Sequence, residues 1–366
     1  MKVLFACGGT AGHINPAIAI ADLLKSRNPR LSVLFVGTPT GMENRLVRGA
    51  GYPIRHIPVK GLRRSLSPAN LRAVTSLFRS FGAAGRILDE ETPDLIVGTG
   101  GYVCYPTLRE AAKRGIPTVL HESNARAGVA SRLLARRTDL ALINFPSAAR
   151  DFQKSGKTVV SGNPLRREFY ALNREAARKR LGIKPDALSL LVFGGSLGAR
   201  NLNEAIEGAV PRLLSAYPTL SILHAVGRNP SGEDPVSYGR YERRSYIDDM
   251  PLRLMAADAV VCRAGAMTIS EIAAAGVPSI LVPFPRAAGD HQTKNALELV
   301  RENAAILIPD DALSPDVLFE KLSGWLSDPE NRRRTGEAVR RFHVPDSGRI
   351  ILREICTLCP KIVDPS

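Results

Sequence analysis

Aromatic side chains are scarce in this chain, at 5% of 366 residues with a single tryptophan. Readers of single-stranded nucleic acid depend on aromatic platforms for stacking. No nucleic-acid motif is present either, so a nucleic-acid partner is not expected. Long apolar runs are missing as well; none reaches the ~18 residues of a membrane-spanning helix. The N-terminus passes from Met1-Lys2 straight into an apolar strand pattern, without the charged lead, apolar stretch and cleavage site of a signal peptide. A protein that stays in the cytoplasm is the expectation. Cysteines number five, an odd count placed mostly in apolar runs, which suits a reducing compartment. Cys356 and Cys359 form a lone C-x-x-C with only His343 nearby, too few ligands for zinc. Two unpaired thiols on a terminal helix are expected there, and no metal.

Acidic residues are few in the first half. Residues 1–165 hold 23 Lys/Arg against 10 Asp/Glu, whereas the remainder holds 27 against 25. A basic half points to an anionic partner, and charge alone leaves nucleic acid, anionic lipid and phosphorylated substrate open. The stretch 60–88 has no acidic residue at all but carries Lys60, Arg63, Arg64, Arg72, Arg79 and Arg86. Within it Leu71, Val74, Phe78 and Phe81 recur at helical spacing, with Leu77 alongside. Spacing alone favours a core-facing helix; an apolar stripe edged by arginines also suits an anionic bilayer surface.

What the chain does have is repetition of plan. Its length exceeds the ~250–300 residues at which single cores stop growing, so two domains are expected. Strands are expected near 2–7, 31–37, 95–99, 118–122, 140–143 and 158–161, separated by helical patterns. A second set near 189–193, 221–226, 245–247, 259–262, 279–283 and 305–308 repeats the arrangement. Such alternation indicates doubly wound parallel sheets with helices on both faces. The turn signal Gly162-Asn163-Pro164 divides the chain into 1–162 and 163–345.

Glycine clusters follow several of these strands. The first, Gly8-Gly9-Thr10-Ala11-Gly12-His13, leads through Asn15-Pro16 into a helix expected over 17–27. Glycines let backbone turn tightly and approach a ligand closely, and a helix start favours anions. His13 at that helix start reads first as a loop histidine bonded to backbone and second as a general base. Gly98-Thr99-Gly100-Gly101-Tyr102 has Val103 where G-x-G-x-x-G needs its third glycine. None of the loops meets that fingerprint, which argues against NAD. Gly194-Gly195-Ser196-Leu197-Gly198-Ala199-Arg200 lacks the lysine of a P-loop, yet Ser196 and the following N–H groups could hold a diphosphate.

The most specific segment is Arg263-Ala264-Gly265-Ala266-Met267-Thr268-Ile269-Ser270-Glu271. A strand ends at the arginine and glycine, and a helix opens carrying Thr268, Ser270 and Glu271. A first-turn carboxylate there would be stabilised by the helix dipole and could accept two bonds from a ribose diol; a plain capping pattern is the competing reading. Asp290-His291-Gln292-Thr293-Lys294-Asn295 opens another helix with groups suited to sugar hydroxyls.

Taken together, G-G-T-A-G-H-I-N-P at 8–16, G-T-G-G-Y-V at 98–103, H-E-S-N at 121–124, G-N-P-L-R at 162–166, G-G-S-L-G-A-R at 194–200, I-D-D-M at 247–250, R-A-G-A-M-T-I-S-E at 263–271 and D-H-Q-T-K-N-A at 290–296 resemble the lipid II-forming peptidoglycan glycosyltransferases of glycosyltransferase family 28. They run in the family's order across nearly the whole chain. The resemblance implies an α/β protein of GT-B fold, two Rossmann-like domains facing a central cleft, working without metal or other cofactor. It implies inverting transfer of N-acetylglucosamine from UDP-N-acetylglucosamine to the 4-hydroxyl of the N-acetylmuramyl unit of undecaprenyl-linked lipid I. An N-terminal acceptor and membrane-side domain, a C-terminal UDP-sugar-binding domain, and a helix over 346–366 returning to the first domain follow from it. So does a peripheral location at the cytoplasmic face of the membrane, with 60–88 on the anionic surface.

Carried over by position, Thr10, Ala11 and Gly12 lie near donor sugar and diphosphate, and Asn124 contacts the sugar. Arg166 and Ser196 lie by the diphosphate, and backbone near Ile247 by the uracil. Ala266, Met267, Thr268, Ile269, Ser270 and Glu271 complete the nucleotide pocket, with Glu271 on the ribose, and Gln292 meets N-acetylglucosamine. His13 is the candidate base. The chain departs from the family pattern at Ala11, where glycine is usual, and at Cys104-Tyr105, where small residues are usual. Another GT-B enzyme, such as a glycolipid glycosyltransferase or a UDP-N-acetylglucosamine 2-epimerase, would share the pocket, as would an inactive UDP-sugar-binding protein.

Overall fold

The computed structural model describes residues 1–59, 68–195, 198–227 and 237–362, and side chains of the helix beginning at residue 68 from residue 76 onward. It divides into two compact units, Met1–Pro164 joined by the stretch from Asp346, and Leu165–Pro345. Each is a parallel sheet between helices.

The first sheet comprises β1 (Lys2–Ala6), β2 (Ser32–Gly37), β3 (Ile54–His56), β4 (Leu95–Gly98), β5 (Thr118–Glu122), β6 (Leu140–Ile143) and β7 (Lys157–Val160). Their spatial order is β3-β2-β1-β4-β5-β6-β7. β1, β4, β5 and β6 are almost wholly buried, which is why they read as continuous apolar runs rather than alternating ones. One face packs on Leu77, Ala84, Ile87, Leu88 and Leu108, the other on Ile14, Ile20, Leu24, Ile351 and Ile355. The terminal helix Ser347–Leu358 therefore belongs to this core. Its Ser347 hydroxyl donates to the Asn163 carbonyl at 2.7 Å.

The second sheet comprises β8 (Leu188–Phe193), β9 (Leu220–Ala225), β10 (Tyr241–Arg244), β11 (Ala259–Cys262), β12 (Ser279–Leu281) and β13 (Ile306–Leu307), in the order β10-β9-β8-β11-β12-β13. The helix Arg200–Ala216 and the helix Pro315–Leu326 close one face around Ile206, Val210, Leu318 and Trp325.

Three details differ from the sequence reading. β3 adds a short edge strand that no apolar run announced. β10 lies at 241–244, not 245–247, because Tyr-Glu-Arg-Arg is an edge strand with three partly exposed positions, and the Tyr246-Ile247 pair belongs to the loop after it. The first helix spans Ala11–Arg27 and takes in Pro16. A proline in that sixth position withholds one bond, from the Gly12 carbonyl.

Candidate functional site

Both sheets reverse their strand order at one place. In the first, β1 pairs with β2 on one side and β4 on the other; in the second, β8 lies between β9 and β11. Ligands of open α/β sheets bind beyond the carboxyl ends of the strands at this reversal. The loops singled out from sequence leave those strands: Gly8–His13 follows β1, Gly98–Tyr102 follows β4, Gly194–Arg200 follows β8 and Arg263–Glu271 follows β11.

In the first unit the two glycine loops touch through backbone. A β-carbon on Gly101, at φ 83°, would lie 2.2 Å from the Gly8 carbonyl oxygen. Thr10 caps the helix from an extended backbone, and the N–H of His13 returns to its carbonyl at 3.0 Å. Thr10 and Gly12 are exposed and Ala11 is half-buried. His13, half-buried, is tied twice to Thr99: Nδ1 lies 3.2 Å from the Thr99 carbonyl, and the Thr99 hydroxyl donates to the His13 carbonyl at 2.6 Å. A carbonyl only accepts, so Nδ1 carries the proton and Nε2 the basic lone pair. The bond to backbone is the one the first reading expects, and it leaves on Nε2 the lone pair that the second reading would use.

Asn124 follows β5 and is held by Glu122, whose Oε1 accepts from the Asn124 backbone N–H at 3.1 Å and its side-chain amide at 3.0 Å. Glu122 is buried, and its Oε2 accepts from the Gly128 N–H at 3.3 Å. The sequence reading gave Glu122 no role; its place in H-E-S-N, two residues before Asn124, was the available signal. Cys104 points inward instead of enlarging the loop surface. Its Sγ lies 3.0 Å from the Ala6 carbonyl and accepts from the Gly100 N–H at 3.2 Å, and burial pushes the thiol up to about 12. Tyr105 packs edge-on to Phe81 at 5.9 Å.

In the second unit the glycine loop after β8 has Gly195 at φ 99° and Gly198 at φ 76°. A β-carbon on Gly198 would lie 2.2 Å from the Val226 carbonyl oxygen. Ser196 lies outside the described residues. The helix Ala266–Ala275 begins after Gly265, so the backbone N–H groups of its first turn point toward its N-terminal end. Ile269 is a core residue and Ser270 is buried, while Met267 and Thr268 are half-buried.

Glu271 is the sixth residue of that helix, and its first turn holds no acidic group. The expectation of a first-turn carboxylate stabilised by the dipole is therefore corrected. The helix starts two residues before Thr268, and the dipole's influence is confined to the first turn. Burial instead raises the Glu271 carboxyl to about 7, opposed by the guanidinium of Arg166. Arg166 is exposed, just after the break between units. Ile247 is buried (3% exposed) and sits in the loop from β10.

Gln292 is the second residue of the helix His291–Arg301, and its Oε1 accepts from the Phe284 N–H at 2.8 Å. That bond turns its amide N–H₂ away from Phe284. Asn295 ties the same helix to the Ala264 carbonyl at 3.3 Å. Arg263 bonds the carbonyls of Val282 and Pro283 and pairs with Asp310, so it fixes the ends of β11 and β12.

Of the basic stretch, Lys60, Arg63 and Arg64 and the side chains of Leu71, Arg72 and Val74 lie outside the described residues. In the helix Pro68–Glu91, Leu77 packs on the core and Phe81 lies under the Arg109 guanidinium, 4.4 Å from the ring centre. Phe78 points outward, 70% exposed, with Arg79 and Arg86 also exposed. The apolar stripe thus splits between core and surface. No helix among the described residues is long and apolar enough to cross a membrane.

Comparison with known proteins agrees with this architecture. Residues 3–143 match the glycosyltransferase family 28 N-terminal domain and residues 189–347 the glycosyltransferase family 28 C-terminal domain. The chain is 42% identical over 333 residues, 90% of each chain, to the UDP-N-acetylglucosamine--N-acetylmuramyl-(pentapeptide) pyrophosphoryl-undecaprenol N-acetylglucosamine transferase of Acetivibrio thermocellus. The protein of the same name from Desulforudis audaxviator is 39% identical over 355 residues, 94% of this chain and 95% of the relative. A crystal structure of Acinetobacter baumannii MurG superposes with a TM-score of 0.78 at 29% identity, covering 97% of this chain and 99% of that one.

Proposed function

The chain belongs to glycosyltransferase family 28, among its UDP-N-acetylglucosamine--N-acetylmuramyl-(pentapeptide) pyrophosphoryl-undecaprenol N-acetylglucosamine transferases, and from that membership we propose how its two units divide the reaction. It transfers N-acetylglucosamine from the UDP donor to lipid I, forming lipid II for peptidoglycan. The observation that carries this reading is identity of 42% sustained over 90% of both chains.

The second unit holds the donor. Backbone N–H groups opening the helix Ala266–Ala275, the glycine loop with Ser196, and Arg166 meet the diphosphate; Glu271 accepts from the ribose diol, backbone at Ile247 meets uracil and the Gln292 amide meets the amino sugar. The first unit supplies the acceptor side. Nε2 of His13 takes the proton of the muramyl 4-hydroxyl as its oxygen attacks the anomeric carbon. The bond from that carbon to the diphosphate oxygen breaks on the opposite face, inverting the centre, and its electron pair leaves with UDP. Charge accumulating on UDP is stabilised by donors already aimed at it. Thr10, Ala11, Gly12 and Asn124 border the transferred sugar.

The acceptor is carried by a lipid, so the enzyme works peripherally at the cytoplasmic membrane face, with Phe78 and neighbouring arginines on the anionic surface. No nucleic acid is involved. Incubation of UDP-N-acetylglucosamine with a short-chain lipid I analogue should yield the β-linked disaccharide lipid and one UDP per turnover. UDP release without disaccharide, or epimerised free sugar nucleotide, would overturn the assignment.

A further inference from the structure

We propose that Asn203 and His224 are positioning residues for the donor diphosphate: with Tyr241 they form a hydrogen-bonded relay that pins the Val226 carbonyl behind the glycine loop after β8. The inference rests on the assignment of that loop to the diphosphate in the reaction above, and deepens it by naming what holds the loop in place.

The core face of β9 reads Leu220, Ile222, His224, all three buried. The first two pack in the same core as the helix Arg200–Ala216. An imidazole takes the third place, at the carboxyl end of the strand, where ligands of such sheets bind. An apolar side chain would fill that place with no polar group to satisfy. Three bonds satisfy this one. Asn203, in the first turn of the helix Arg200–Ala216, donates from its side-chain amide to the Val226 carbonyl at 2.8 Å. Its Oδ1 lies 3.1 Å from His224 Nε2, and His224 Nδ1 lies 2.7 Å from the hydroxyl of Tyr241, a fully buried residue of β10.

The Val226 carbonyl sets the direction of every bond in the series. It only accepts, so Asn203 presents its N–H₂ there and turns Oδ1 to the imidazole. Oδ1 only accepts in turn, so Nε2 carries the proton and Nδ1 the lone pair. The Tyr241 hydroxyl therefore donates to Nδ1. Burial and, after it, the Arg243 guanidinium hold the imidazole down to about 4, so the ring is neutral at neutral pH and keeps both roles. The opposite tautomer would call for a turned amide, with Asn203 Oδ1 facing the Val226 carbonyl, oxygen against oxygen.

What the relay holds lies directly against the loop. Val226 also donates its N–H to the Arg244 carbonyl at 2.9 Å, so both of its backbone polar groups are fixed. Its carbonyl oxygen occupies the place a side chain on Gly198 would need. The Gly198 N–H returns to the Gly195 carbonyl at 2.9 Å, and a β-carbon on Gly194 would lie 2.4 Å from Ala199 Cβ. The loop is a closed turn seated on Val226, so releasing that carbonyl frees Gly198 to shift. N–H groups that bind a diphosphate depend on their placement. Uridine, assigned to Glu271 and the backbone at Ile247, does not depend on this turn.

The test measures UDP and uridine binding separately on the full-length protein. Asn203→Ala, and Asn203→Asp, which keeps the shape but sets an oxygen against the Val226 carbonyl, should each weaken UDP about tenfold or more, the size of one hydrogen bond to a charged group. The uridine Kd should move less than twofold. His224→Phe should act in the same sense, and combined with Asn203→Ala it should be no worse than Asn203→Ala alone. In ¹⁵N-histidine-labelled protein the His224 signals, identified by their loss in His224→Phe, should report a neutral ring with its proton on Nε2, and Tyr241→Phe should displace the Nδ1 signal. Should the Asn203 variants not fold, Tyr241→Phe carries the comparison at smaller size, with UDP weakened about threefold and uridine unmoved. A proton on Nδ1, unchanged UDP affinity, or equal losses for UDP and uridine would overturn the positioning role. If the unmodified protein bound UDP no better than uridine, the loop's assignment to the diphosphate would fall and the positioning role with it, while the ¹⁵N signals would still show whether the relay exists.

Discussion

The imidazole of His13 lies against the backbone of Gly100, so closely that a β-carbon on the glycine would meet Nδ1 at 2.4 Å. Gly100 also adopts φ 109°, a conformation that side chains disfavour. The second glycine loop is thus shaped around the histidine of the first. Gly100→Ala should displace His13 from the Thr99 carbonyl and lower kcat by ~10²-fold, the loss typical of a misplaced reacting group. UDP binding should change less than twofold, since the groups proposed for uracil, ribose and diphosphate belong mostly to the other unit. Turnover near the unmodified level would show that His13 needs no such support.

His13 itself is the sharper probe. His13→Ala should lower turnover by ~10²–10⁴ with a modest effect on donor binding, because general-base catalysis is realised in the transition state. Steady-state kinetics at saturating UDP-N-acetylglucosamine and isothermal titration of UDP separate the two effects. A large loss of UDP affinity with unchanged kcat would move His13 from the base to a binding role.

This pairing marks where sequence reading stops. The fold class was legible because buried parallel strands are continuous apolar runs, as in Val3–Ala6 and Leu140–Ile143, and because glycines punctuate their ends. The contact of His13 with Thr99 spans 86 residues of chain and follows only once β1 and β4 are known to be neighbours. Short polar edge strands escaped for the opposite reason: Ile54-Arg55-His56 and Tyr241-Glu-Arg-Arg carry too little apolar pattern to stand out. Glu271 was misplaced within its helix because Gly265, not a hydroxyl residue, is the cap.

Glu271 should impose a pH dependence on donor binding. Its carboxyl is raised to about 7, and only the ionised form accepts two hydrogen bonds from a diol. Affinity for UDP should therefore increase as pH rises through about 7 and level off above 8. In Glu271→Gln the affinity should be lower and flat across that window. The effect on the fold has the opposite sign: a carboxyl whose native pKa exceeds its unfolded value binds protons more tightly when folded, so stability falls as pH rises from about 4.5 to 7. At pH 8 Glu271→Gln should raise the apparent Tm by about 2–4 °C, the shift that ~1 kcal/mol gives a domain of this size. A lower Tm together with unchanged UDP affinity would remove Glu271 from the pocket.

Phe78 and the arginines beside it make a separable claim about the membrane. The Phe78 ring meets Phe81 edge-on at 6.4 Å yet stays 70% exposed, a surface that a lipid interface would cover, and each basic residue near an anionic bilayer adds ~1 kcal/mol, about fivefold in binding. Co-sedimentation with vesicles of mixed phosphatidylglycerol and phosphatidylcholine should be strong at low salt and should weaken as screening grows. Arg79→Gln with Arg86→Gln, two of the six basic residues of 60–88, should lessen the salt dependence by about a third, whereas Phe78→Ala should weaken binding equally at all salt concentrations. Neither change touches the nucleotide groups, so turnover with a water-soluble acceptor analogue should stay within twofold of the unmodified enzyme while turnover on vesicle-borne lipid I falls about tenfold or more. Equal losses on both acceptors would mean that this helix supports the catalytic unit and does not meet the bilayer.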